Sequence, residues 1–237
     1  MVVESASQMD AAPSDRFEYF WNRQGEWVEE PNQRRGGESG VQRIVSSSGR
    51  LLYAKRQIGH IYRSVLHPFG RPTVLRELAA LQGLRVLDVG VPELVFCGAR
   101  RDPQNRWQAL LVTAALDGFV EIDNWYAAGE REHHGEAFHE RLLEALAVTL
   151  ARMHKGRWQH GCLYAKHIFV RVEGEGEQAR PQIALLDFEK CRQRLSSQRA
   201  AAHDLKQLRR HSSWNDTDWQ KLYYFYKTAF GSSIKGL

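Results

Sequence analysis

The segments His160-Gly-Cys-Leu-Tyr-Ala-Lys-His167 and Leu185-Leu-Asp187-Phe-Glu189 decide how this chain is read. The first is compact and leads into the apolar run Ile168-Phe-Val-Arg-Val172; the second closes the run Ile183-Ala-Leu-Leu186 on a carboxylate. A turn rich in glycine, Glu173-Gly-Glu-Gly-Glu177, lies between the two runs, which therefore read as short strands. Upstream, Phe138, Leu142, Leu146, Leu150 and Met153 recur at helical intervals and predict a long amphipathic helix ending near His154-Lys-Gly156. Downstream, Gln198 to Lys235 reads as helical and carries Trp219, Tyr223, Tyr224 and Phe225, with Trp214 just before. These aromatics read as core and groove packing.

The first half of the chain has a different character. From Phe17 to Val95 the pattern is mostly of short strands, with Val41 to Val45 and Leu51 to Gln57 separated by the hairpin signal Ser46-Ser-Ser-Gly49. Pro72 opens a predicted helix with Val74, Leu75, Leu78 and Leu81 at helical spacing, and two further strands fall near Leu94 to Gly98 and Trp107 to Thr113. The expected organisation is a mobile tail over 1–15, a β-rich lobe over 16–113, a hinge at 114–118 and a helical lobe over 119–237. That order, small β-rich lobe first and larger helical lobe second, predicts a two-lobed α+β fold of the protein-kinase kind.

Composition narrows the setting. The 237 residues are 43% hydrophobic and 26% charged, which is globular rather than disordered. The longest apolar run, Ala109 to Leu116, is strand-sized and far from the ~20 residues of a membrane span. The opening residues lack the apolar segment of a secretory signal. Cys97, Cys162 and Cys191 form no close-spaced pair and read as reduced cytosolic thiols. Lysine and arginine outnumber acids 33 to 28, a net charge of +5 that suits an anionic partner.

Within this order the parts of a phosphate-handling site can be sought one by one. Lys55, ending Leu51-Leu-Tyr-Ala-Lys55, reads as a strand lysine able to grip nucleotide phosphates, with Glu77 on the following helix as its partner; taken alone, each reads better as a solvated charge. Gly36, Gly37, Ser39 and Gly40 could bring backbone N–H groups close to phosphate oxygens, with Arg34 and Arg35 adding positive charge, although a plain hairpin turn looks similar. Asp187, ending its strand, suits a hard divalent cation that takes oxygen ligands. The backbone of Ala114 to Leu116 is the expected adenine contact. Asp204 reads either as a brace for the loop at His160 or as a carboxylate near a helix N-terminus. His133, His134 and His139 read as a solvated polar helix start.

Taken together, several segments resemble the lipopolysaccharide core kinase family in its InaA-like branch. They are Arg34 to Arg43, Tyr53-Ala-Lys-Arg56, His60 to Ser64, His67 to Thr73, Arg76-Glu77, His160 to His167 and Leu186-Asp-Phe-Glu-Lys190, and the likeness runs from Phe17 to about Phe230. The resemblance implies transfer of phosphate from ATP, with Mg²⁺, to a hydroxyl of an inner-core heptose at the cytoplasmic side of the inner membrane. It implies Lys55 and Glu77 as the nucleotide grip, Asp187 as metal ligand, and His160, Cys162 and His167 as the catalytic loop. His167 stands where protein kinases place asparagine, to hold metal or to position phosphate. It also implies a cytoplasmic protein, peripheral at that membrane, whose partners are nucleotide and a lipid-linked saccharide or anionic leaflet, not nucleic acid.

One position departs from the pattern. Cys162 stands where the family places the catalytic aspartate, and no acid occurs between His160 and Arg171. An ordinary thiol, with pKa ~8.5, offers little thiolate at neutral pH unless a neighbour such as Lys166, His160 or His167 lowers it. Three readings stand: a slow kinase, a kinase whose base comes from elsewhere, and a nucleotide-binding stress-response pseudokinase. Finally, Arg63, Arg71 and Arg76, with Tyr62 and Phe69, beside Arg34, Arg35 and Arg43, predict a basic rim for a phosphorylated lipid-linked saccharide or the leaflet itself.

Overall fold

The computed structural model describes residues 13–34, 36–65 and 67–237. The chain divides into two units, residues 1–79 with 92–115 and residues 80–91 with 116–237. Much of the stretch expected as a tail, 1–12, together with Arg35, lies outside the described residues. Its end is not a tail, because Pro13–Asn22 forms helix α1. Phe17 and Phe20 of α1, read above as strand sequence, are buried against Phe96.

The first unit is built on strands β1 (Glu26–Arg34), β2 (Gly37–Val45), β3 (Leu51–Ile58), β6 (Leu94–Arg101) and β7 (Trp107–Ala114). They form one antiparallel sheet in the order β1-β2-β3-β7-β6. Period-two alternation turns Leu52 and Ala54 of β3 into the core with Ile44, Leu110 and Val112, which leaves Lys55 and Gln57 on the opposite face. A separate two-stranded hairpin, β4 (Ile61–Ser64) and β5 (His67–Pro72), precedes helix α2 (Val74–Val86). Pro72 therefore ends a strand, and the helix starts two residues later than its proline suggests.

The second unit holds strand β8 (Val120–Glu121), helices α3 (Ile122–Ala127), α4 (Glu130–His134) and α5 (Glu136–Lys155), strands β9 (Trp158–Gln159), β10 (Ile168–Glu173), β11 (Arg180–Leu185) and β12 (Arg192–Gln193), and helices α6 (Ser197–Arg210) and α7 (Asp216–Phe230). Strands β10 and β11 pair antiparallel from Ile168–Leu185 to Glu173–Arg180. Phe138, Leu142, Leu146, Leu150 and Met153 form the buried stripe of α5, as their spacing predicts. Residues 80–91, expected with the β-rich lobe, belong to this unit for a specific reason. The Leu185 amide donates to the Gly90 carbonyl at 2.9 Å, and Arg152 of α5 pairs with Asp88 at 2.6 Å. Local helical spacing carries no information about such distant partners. Among the described residues no helix is long and apolar enough to cross a membrane.

Candidate active site

In the first unit the chemistry begins with strand alternation. Lys55 and Gln57 share a face of β3, and the Lys55 ammonium pairs with the Glu77 carboxylate on α2. Both side chains are mostly buried, 16% and 7% exposed, so this is no solvated surface pair. Gln57, which the sequence reading passed over, explains how the helix is placed. Its buried amide oxygen accepts from the Val74 backbone N–H at 3.2 Å and from Thr73 Oγ1 at 3.0 Å, and its amide nitrogen reaches Thr73 Oγ1 at 2.7 Å and Ser39 Oγ at 3.3 Å. The first N–H groups of a helix have no partner within it. Gln57 supplies one from the strand that carries Lys55, so β3 positions both members of the ion pair. The only signal in the sequence is a polar residue two places after the lysine.

The glycine-bearing turn divides. Gly36 has φ of +74° and open space around its Cα, as a tight turn between β1 and β2 requires. Gly37 and Gly40 lie inside β2, where a Cβ would strike the backbone at Gly59–His60 and the Trp27 ring. Their missing side chains serve strand packing, and Ser39 is buried on Gln57. Arg43 pairs with Glu26. At the expected adenine contact, the Ala114 and Ala115 amides already donate to Glu93 and Leu51 carbonyls at 2.9 and 3.0 Å.

In the second unit the loop before β10 hangs on Asp204. This residue lies in the interior of α6, not at its start, and is fully buried. Its Oδ2 accepts from the His160 amide at 2.6 Å and Oδ1 from the Gly161 amide at 3.0 Å, while His154 and His203 reach it at 3.3 and 3.0 Å. Burial by itself would raise the Asp204 pKa; the hydrogen bonds from His154 and His203 overcome that and hold the carboxyl well below the usual range. His154 is fixed on its other side by the buried Tyr226 hydroxyl at 2.8 Å, a contact between α5 and α7 that the aromatic run did not disclose.

Beyond that brace the expected catalytic residues separate. His160, expected in the catalytic set, is wholly buried; its ring bonds the Leu186 carbonyl at 2.9 Å, and burial lowers its pKa. Its ring ties the loop to the backbone just ahead of Asp187. Cys162 is buried to 8% exposure, and its neighbouring cation is Lys190, none of the three groups anticipated. The hydrogen bond to the Cys162 sulfur raises the Lys190 pKa. His167 Nδ1 lies 2.7 Å from the Cys162 carbonyl, which can only accept, so this nitrogen carries the proton. The other ring nitrogen, Nε2, faces Asp187 Oδ2 at 3.4 Å. One carboxylate and one imidazole nitrogen turned to the same point are a donor set that a divalent metal can use. Asp187 is 45% exposed and has φ of +63°, a left-handed conformation that is uncommon outside glycine and recurs where side chains are held for function.

The histidines of α4 and α5 are not a solvated trio. His139 is fully buried, with Nε2 2.8 Å from the Tyr126 hydroxyl, which also accepts from Trp214 Nε1 at 2.8 Å. Tyr126 therefore gives its proton to His139 Nε2, and the Nδ1–H faces Glu136 and Asp218. Arg131 already spans those two carboxylates. The three side chains lie close enough for a metal, but protonated Nδ1 and Arg131 fill the space chemically.

With this geometry in place, comparison with known proteins is informative. Residues 18–226 match the lipopolysaccharide kinase (Kdo/WaaP) family. The chain is 40% identical over 218 residues to Protein InaA of Escherichia coli (strain K12), covering 91% of this chain and 98% of that protein. Among solved structures it is similar to WaaP in complex with acyl carrier protein, with TM-score 0.68, 20% identity, and 99% and 90% of the two chains covered. It is also similar to amicoumacin kinase hAmiN in complex with AMP-PNP, Ca²⁺ and Ami, with TM-score 0.56, 11% identity, and 97% and 80% covered. The α+β, protein-kinase-like fold is thereby established.

Proposed function

The chain belongs to the lipopolysaccharide kinase (Kdo/WaaP) family and is a kinase by that membership, and from this premise we propose that it transfers the terminal phosphate of ATP to a sugar hydroxyl of lipopolysaccharide inner core. The observation that carries the reading is the Asp187–His167 donor pair on a loop braced by Asp204. Asp187 and His167 Nε2 would hold the divalent cation, Mg²⁺ in this reading, which when bound neutralises charge on the phosphates. Lys55, held by Glu77, would grip the inner phosphates, and Gly36 is the turn residue open to phosphate. With the Ala114 and Ala115 amides engaged, an adenine contact there falls to backbone carbonyls and Leu116.

Cys162 sets the expected rate. A positioned base contributes ~10²–10⁴-fold, whereas positioning and charge neutralisation are the larger part of phosphoryl transfer. Lys190 beside the thiol would face the charge of the transferring group. The function is thus a slow phosphotransferase. The same buried Cys162 favours a second reading, a nucleotide-binding pseudokinase acting in a stress response.

Melting curves test the nucleotide site. MgATP should raise the melting temperature of the parent chain, and Lys55→Ala or Asp187→Ala should abolish that rise; ligand at 100 times its Kd stabilises by about 2.7 kcal/mol. No rise in the parent at saturating MgATP rejects both readings. Transfer of labelled phosphate to extracted core oligosaccharide separates the first from the second.

A further inference from the structure

The predicted basic rim resolves into a smaller and chemically sharper surface. Arg76 turns inward over the Tyr62 ring at 4.8 Å, and Arg43 is paired with Glu26. What projects is the β4–β5 hairpin. Val65 at its turn is 99% exposed and Phe69 is 90% exposed, and Arg63 and Arg71 beside them are exposed too. Residues 57–76 contain no Asp or Glu. Behind Phe69 an open groove of about 510 Å³ is lined by His67, Arg71, Leu75 and Trp107 among others, with no carboxylate. Arg71 reaches the His67 ring at 3.3 Å, and Arg101 stacks on Trp107 at 4.0 Å.

This combination is unusual for a hairpin bathed in water. Turns normally carry glycine, asparagine, aspartate or proline, whereas this one presents Val65, followed in the sequence by Leu66. A two-stranded hairpin also gains little stability by itself, and Val65 and Phe69 add none by burial, since both stand in solvent. We propose that the β4–β5 hairpin is a membrane-docking element that inserts Val65 and Phe69 into an anionic phospholipid surface while Arg63 and Arg71 meet the headgroup phosphates.

The arrangement selects the occupant. Apolar side chains protrude at the tip and cations flank them, which fits a partner with an anionic layer in front of an apolar one. A bilayer has that order over its whole face, whereas an acidic protein helix would have to set its apolar and acidic side chains at the hairpin's own spacing. Interfacial binding adds buried apolar area to electrostatic attraction, and neither signal suffices alone. The proposal is independent of phosphotransfer, because no residue in it belongs to the nucleotide or metal set.

Flotation of the whole protein with phosphatidylcholine vesicles, with and without phosphatidylglycerol, tests it. Binding should require phosphatidylglycerol and fall as salt rises, since charges are screened beyond ~8 Å at physiological ionic strength. Val65→Ser with Phe69→Ser should weaken binding by at least about tenfold, and Arg63→Gln or Arg71→Gln by about fivefold each. Val86→Ser, at an equally exposed valine outside the hairpin, should bind as the parent does. All variants should keep the parent's melting temperature and MgATP shift, because these side chains support no core. Binding that ignores phosphatidylglycerol or salt, binding unchanged in the hairpin variants, or no binding by the parent would each overturn the proposal. Hairpin-dependent binding to an acidic protein without vesicle binding would overturn the bilayer as occupant.

Discussion

Lys55 with Glu77 in the first unit and Asp204 with the His160–Gly161 backbone in the second are both buried charges held by hydrogen bonds, yet they solve different problems. Glu77 holds a side chain that on the proposed function acts on a ligand, and its partner keeps some exposure. Asp204 holds a backbone, is wholly enclosed, and takes donors from α5, α6 and the loop at once. The first arrangement fixes where a cation sits; the second fixes the path of the chain that presents Cys162 and His167. Substituting the residue at 162 removes neither, because Asp204 binds main-chain N–H groups that any side chain leaves in place. On the proposed function, Cys162 takes the place of a base on a loop whose scaffold is kept.

The comparison can be broken at several points. The largest change is expected from Cys162→Asp. If the scaffold is intact and only the base is missing, phosphate transfer to core saccharide should rise toward the ~10²–10⁴-fold that a base contributes, with MgATP affinity nearly unchanged. Lys190 would keep the new carboxylate ionised but weaken it as a proton acceptor, which places the gain near the lower end. An aspartate variant that binds MgATP and transfers nothing would assign the chain to the pseudokinases.

Asp204→Ala should come next, as a loss of stability. It strands two loop amides and His154 in the interior, and breaking a buried charged pair costs about 3–5 kcal/mol, readable by urea unfolding. Acid sharpens the point. Because the folded-state pKa of Asp204 is lowered, its contribution is present above the ordinary carboxylate value of about 3.9 and is lost as pH falls through the folded value. The gap between parent and Asp204→Asn should therefore persist at neutral pH and close in strong acid.

The smallest effect is expected at the other region. Gln57→Leu removes the acceptor for Val74 N–H and the partner of Thr73, at about 1–3 kcal/mol for the stranded groups. By loosening the start of α2 it should also weaken the MgATP shift, whereas Gln57→Glu, which keeps the acceptor, should restore part of it. A Gln57→Leu chain with lowered stability but a full MgATP shift would show that Glu77 is placed by other contacts.

Much of this was open to reading without coordinates. The α5 stripe, the β2–β3 hairpin and the strands β6 and β7 follow from short-range pattern, because side-chain period and turn residues are local properties of the backbone, whereas Lys55, Glu77 and Asp187 stood out as a set only through the family resemblance. Other features were hidden for an equally physical reason. Gln57 looks like any polar residue on an alternating strand until Thr73 and Val74 are beside it. Tyr226 is one ring among several until His154 selects it, and Lys190 is a surface lysine until the Cys162 sulfur is its neighbour.

The amino-acid sequence by itself determined most element types, though not helix α1, and with them the family and the identity of the residue at 162. Only the tertiary structure decided what those residues do to each other. It set the His160 ring on the Leu186 carbonyl, turned His167 Nε2 toward Asp187, and buried His139. It moved residues 80–91 into the second unit and left Val65 and Phe69 in solvent. The division follows from range. Backbone periodicity acts over a few residues and is written in order along the chain, whereas a hydrogen bond between α5 and α7, or a thiol beside an ammonium, exists only once distant segments have been packed together.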